Sequence, residues 1–169
     1  SFEPRVSFYE DTPYRPRQPN DLTARHGYVI DDFIAAALGR GLEVYLQVSG
    51  QSAPGMTDDD RPLRPDGQPP ERMADTGSLA SEPVRAYLWA YVRDLLTRYP
   101  EITGFRPDWP EYPCYKLDEG FQDFSPHVRR WASVRGLPFD DIQRDVGAFY
   151  GYLHTGLTND DLAAVGGAG

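Results

Sequence analysis

Glu111 and Asp108 stand in "GFRPDWPEYPCY", residues 104–115, among three prolines and four aromatic residues. A carboxyl group hemmed in by flat, apolar side chains keeps its proton to higher pH, because the charged form loses hydration there. Glu111, between Trp109-Pro110 and Tyr112-Pro113, meets that condition better than any other carboxylate of the chain. It reads as a candidate general acid/base, with Asp108 as partner or orienter. Cleaving a glycosidic bond takes two carboxyl groups, roughly 5–5.5 Å apart for retention and roughly 6.5–9.5 Å for inversion. Glu10 and Asp11 offer a second carboxylate or a substrate contact if their loop opens on the same side. Trp109, Tyr112 and Tyr115 supply planes on which sugar C–H faces stack. Gln47, Ser49 and Gln51 fall where hydroxyl recognition is wanted. Each of these has a plainer role: a surface glutamate, an aspartate bonded to loop amides, rings packed on a helix, or a serine in a turn.

Other chemistries find less support. Asp58–Asp60 lack the glycine and glutamate spacing of a calcium loop and read as a solvated loop. His26, His127 and His154 fall in different segments without metal-ligand spacing. Cys114 stands alone, with only Lys116 as a basic neighbour, so it forms no internal disulfide framework and makes a thin case as a nucleophile. There is no Gly-x-Ser-x-Gly elbow and no phosphate-binding glycine loop. Neither a metal nor another cofactor is expected.

The elements that must position the candidate site follow from hydrophobic spacing. Arg5–Tyr9, "RVSFY", reads as a short strand. Ile30, Phe33, Ile34, Ala37 and Leu38 share a helical face that Gly39 and Gly41 end. Leu42–Gly50, "LEVYLQVSG", is a second run of strand formers. Residues 50–80 form a long irregular stretch rich in aspartate and proline, either an ordered functional loop or disordered. Ser81, Glu82 and Pro83 start the strongest helix, whose stripe from Val84 to Tyr99 runs to Pro100. "EITGF" reads as a third strand leading into the acidic segment. A helix beginning at Ser125-Pro126 and another over 139–154 complete the chain. The order is β-α-β-(long loop)-α-β-(loop)-α-α, with long segments after strands and short ones after helices, as in alternating α/β barrels.

"RGLEVYLQVSGQ" and "SLASEPVRAYLWAYVRDLLTRYPEITGFRPDWPEYP" resemble the middle of glycoside-hydrolase-like (β/α)8 barrels of the β-galactosidase-like and hypothetical glycosidase groups. The likeness covers roughly residues 5–135. It implies an α/β fold, a partial TIM-type barrel with long βα loops, and places Glu111 or Asp108 at the barrel mouth as the acid/base of a glycosidase. Pro110 stands where such enzymes usually carry Asn, and their nucleophile sits on a later strand. A full barrel needs about 250 residues, so one α/β domain over 1–169 reads as an excerpt or half of a barrel. The alternative on the same scaffold is a non-catalytic carbohydrate-binding or interaction domain.

The expected partners are a carbohydrate ligand and either a second copy or the remainder of the barrel. A net charge of −9 argues against nucleic acid, whose phosphates call for clustered lysine and arginine. No run approaches the roughly 18 apolar residues of a membrane span. The absence of a signal-peptide pattern slightly favours the cytoplasm, while Ser1 in place of Met is compatible with a truncated N-terminus and leaves the compartment open.

Overall fold

Helices dominate the architecture. A computed structural model of the chain describes residues 2–49, 52–71, 75–108 and 115–166. The helices are α1 (Asp21–His26), α2 (Tyr28–Leu38), α3 (Glu82–Arg98), α4 (Pro126–Val134), α5 (Phe139–Gly151) and α6 (Asn159–Gly166). The strands are β1 (Tyr45–Ser49) and β2 (Gly104–Asp108), joined into one two-stranded parallel sheet. Tyr45 pairs with Gly104, Gln47 with Arg106 and Ser49 with Asp108. Among the described residues that open sheet is all the strand structure there is, so the expected α/β barrel, whole or partial, does not form. The chain divides by internal packing into two units, one of residues 1–61 and 75–112, the other of residues 62–74 and 113–169.

In the first unit the segment expected as the first strand is instead a 3-10 turn, Val6–Tyr9. Long-range bonds decide this against local β preference. The Arg5 amide donates to Asp94 Oδ2 at 2.9 Å, and the Tyr9 hydroxyl donates to the same oxygen at 3.3 Å. Phe8 and Tyr9 both enter the core, which an extended chain with alternating faces does not allow. The strand that does form, β1, alternates as expected: Val44, Leu46 and Val48 turn inward while Tyr45 and Gln47 are exposed. β2 begins three residues later than "EITGF" suggests, after Thr103 has closed on Val44 through its amide (2.8 Å) and its hydroxyl (3.1 Å).

α3 organises the first unit. The Ser81 hydroxyl accepts from the Val84 amide at 3.2 Å and donates to the buried Asp60 at 2.5 Å, capping the helix and tying down the acidic loop together. Pro83 sits in the first turn, where its missing N–H costs nothing. One stretch of the helix, Val84, Tyr87 and Ala90, packs with Tyr9, Tyr14, Ala53 and Met56. Its far end, Leu95, packs with Ile34, Val44, Val48 and Tyr99. The loop of residues 52–61 and 75–80 is held in place: the Tyr14 hydroxyl donates to Asp60, the Ser78 amide donates to the Asp60 carbonyl at 2.7 Å, and Arg61 grips Asp75.

The second unit is built on α4 and α5. Ser125 caps α4 by accepting from the Val128 amide, and Pro126 follows it. Gly136, at φ 68°, turns the chain so that the Leu137 amide reaches back to the Ala132 carbonyl at 3.0 Å. Phe124 meets Phe139 edge-on, and Phe121 does the same to Tyr150. Trp131 is 39% exposed, with the Arg135 guanidinium 3.9 Å above its ring. Under Tyr150 lies Asp118, a buried carboxylate. It accepts from Arg64 Nη1 (2.7 Å), the Tyr150 hydroxyl (2.9 Å) and the Glu71 amide (3.1 Å), with His154 Nε2 at 3.2 Å. Burial alone would raise its pKa, but the Glu71 amide, the Tyr150 hydroxyl and the Arg64 guanidinium outweigh it and hold the carboxyl down to about 2.

Candidate functional site

The aromatic side chains that gather around a cavity in the first unit come from α3, the 3-10 turn and the segment before that turn. Tyr87 and Tyr91 are one helical turn apart on α3, so their rings lie over each other, 6.3 Å between centroids and 8° from parallel. Tyr9, carried in by the 3-10 turn, stands 5.4 Å from Tyr87, and Phe2 stands 5.9 Å from Tyr91. The result is a continuous aromatic wall, Phe2–Tyr91–Tyr87–Tyr9. These side chains line a cleft of about 430 Å³, together with Pro16, Arg17, Ala53, Pro54 and Asp75.

The polar groups of the cleft fall into two kinds. Burial, and then Asp94, pushes the Tyr9 hydroxyl far above the usual phenol range. Burial carries Tyr87 up to about 12, with Tyr91 adding to the push and the Arg17 guanidinium opposing it. Tyr91 is raised by burial and by Asp94. All three phenols are therefore neutral at physiological pH and act as hydrogen-bonding groups, not as bases. Asp75 is gripped by Arg61 through Nε at 2.8 Å and Nη2 at 3.0 Å. Arg17 forms no ion pair or hydrogen bond among the described residues, although its neighbour Arg15 donates to the carbonyls of Tyr9 (2.6 Å), Tyr14 (3.3 Å) and Thr12.

A second recess, of about 390 Å³, lies between α2 and the end of α3. Its polar floor is already self-satisfied: Arg98 Nη2 donates to Asp31 at 2.7 Å and the Tyr99 hydroxyl donates to Asp31 at 2.8 Å. A ligand there would find few polar groups to recruit.

The candidate site expected from the sequence falls only in part on residues that the structure describes. Glu111, Trp109 and Tyr112 lie outside the described residues, as does Gln51. Asp108 ends β2 and is exposed, next in the sheet to Ser49; Gln47 is exposed on the outer face of β1. Glu10 and Asp11 are exposed in the turn after Tyr9, which ends no strand. Tyr115 is 62% exposed and belongs to the second unit. Catalytic carboxylates converging at strand ends are absent among the described residues, as is any cluster of His, Cys, Asp and Glu fit for a metal. The glycosidase assignment, the barrel scaffold shared by its binding alternative, and the family resemblance are corrected accordingly. No protein-family model matches the chain, and neither a curated protein nor a solved structure matches it. Among the described residues no helix is long and apolar enough to cross a membrane.

The cleft residues escaped the sequence reading because each had a structural explanation. Tyr87 and Tyr91 belong to the apolar stripe of α3, and Tyr9 looked like a strand residue. The available signal was the i, i+4 tyrosine pair, which leaves two hydroxyls on a face otherwise made for packing.

Proposed function

We propose that the first unit is a carbohydrate-binding module and that the tyrosine-walled cleft is its seat. The observation that carries this reading is the aromatic lining of Tyr87, Tyr91 and Phe2, with the partly exposed Tyr91 among them, along a cleft of about 430 Å³. Small-molecule sites span roughly 300–1,000 Å³ and combine apolar walls with a few placed polar groups. A pyranose ring has the matching character: apolar C–H faces for the rings and a rim of hydroxyls for neutral phenols. The phenols donate and accept without changing charge across the physiological range, which suits recognition of a neutral hydroxyl rim.

Isothermal titration against a panel of oligosaccharides tests the reading. Tyr91 is only partly buried, so Tyr91→Ala removes part of the wall without emptying the core. Loss of one stacking plane, about 1 kcal/mol, weakens binding five- to tenfold, and Tyr91→Phe restores most of it. Absence of binding across the panel, or equal affinity for Tyr91→Ala and the parent, rejects the proposal.

A further inference from the structure

We infer that the ligand of the cleft carries a carboxylate, an acidic sugar of the uronic type, and that Arg17 is the residue that holds it. This inference rests on the reading of the cleft as a sugar site and narrows it to a charge class.

Three observations converge on Arg17. It lines the same cavity as Tyr87 and Tyr91. Among the described residues it has neither a carboxylate within ion-pair distance nor a hydrogen-bond acceptor. The carboxylate that shares the cleft lining, Asp75, is engaged by two nitrogens of Arg61. In a chain of net charge −9, an exposed arginine on the cleft lining is a place where an anionic ligand gains an ion pair. A guanidinium offers a planar fork that fits a carboxylate with two parallel N–H···O bonds.

The segment that carries Arg17 is stiff before any ligand arrives. Pro16 and Pro19 flank it, Pro16 is buried, and Arg15 is tied to the carbonyls of Tyr9, Thr12 and Tyr14. A side chain carried on a held backbone loses less freedom on binding than one on a mobile loop, which favours affinity. Arg17 and Tyr87 line the same cleft, and the guanidinium opposes the upward push on that hydroxyl. A pyranose stacked on the Tyr87–Tyr91 wall would then turn a ring-borne carboxylate toward the guanidinium.

The test compares trigalacturonate, its methyl ester and a neutral galactose trisaccharide by titration calorimetry, with the parent chain, Arg17→Gln and Arg17→Lys. Arg17 is exposed, and circular dichroism of the variants checks that they fold. The expected result is at least tenfold tighter binding of the acid than of the ester. Arg17→Gln brings the acid down to the level of the ester and leaves the ester unchanged, while Arg17→Lys keeps part of the preference. Equal affinities for acid and ester, or an acid preference that survives Arg17→Gln, overturns the inference and leaves the sugar-binding reading standing. Failure of all three saccharides to bind overturns both.

Discussion

Replacing Asp118 by Asn isolates the buried charge network of the second unit. The carboxyl is held from its ordinary 3.8 down to about 2, so folding favours the ionised form by roughly 2 kcal/mol. The sign follows from the direction. A depressed carboxyl contributes stability that is fully present above pH 3.8 and is lost as pH falls toward 2. Asn keeps one acceptor but turns an amide N–H₂ toward donors, since Arg64, Tyr150, the Glu71 amide and His154 all approach Asp118. An unmade bond at a buried donor adds about 1–3 kcal/mol. Arg64 retains Asp66 at 2.8 Å, which limits the damage. The total is about 2–4 kcal/mol at pH 5. Urea unfolding followed by circular dichroism, run at steps from pH 5 to pH 2, gives the parent-to-variant gap from the midpoints. That gap narrows by roughly 2 kcal/mol in acid, because the parent loses its own charge there. A gap that stays constant or widens with falling pH refutes the assignment of the stability to the ionised carboxyl.

Ser81→Ala removes both the cap of α3 and the donor to buried Asp60, and costs about 2–3 kcal/mol in thermal unfolding; a change below half a kcal/mol would show that Asp60 is satisfied without it. Tyr9→Phe deletes the hydroxyl that donates to Asp94 while keeping the ring. It costs about 1 kcal/mol of stability, measured by urea titration, and leaves sugar affinity within about threefold, since about 0.6 kcal/mol separates those affinities. A tenfold loss of affinity would make the Tyr9 hydroxyl a ligand contact instead of a strut.

Much of the helical structure was readable from local signals. Ser81, Pro83 and the stripe ending at Pro100 predict a helix that forms over Glu82–Arg98, and Ser125-Pro126 starts α4 as its chemistry suggests. These ends are set by residues a few positions apart. The sheet was misread because strand identity is settled at a distance. "RVSFY" has β-forming residues, yet Asp94, 85 residues from Tyr9, bonds both ends of the segment and curls it into a turn. Counted as a strand, that segment suggested a barrel, and the likeness of "GLEVYLQVSG" to barrel sequences suggested further partners that β1 does not have among the described residues. α2 shows the same limit on a smaller scale: Ile34 and Leu38 of its stripe pack inward, whereas Phe33 is 68% exposed. The cleft was invisible for a related reason. Its lining joins residues 2 and 9 to residues 87 and 91, which the Asp94 tether and the packing of Tyr9 on α3 bring together.

Seating of a sugar in the cleft lined by Phe2, Tyr87 and Tyr91 leaves a local signature. The most direct measurement is a two-dimensional amide NMR titration of the whole chain with the tightest-binding oligosaccharide. The account predicts that the perturbed resonances cluster at residues 2–17, 52–55 and 87–91, with those of α4 and α5 unmoved. Perturbations centred on residues 104–108 or on the second unit, with the cleft silent, would contradict it.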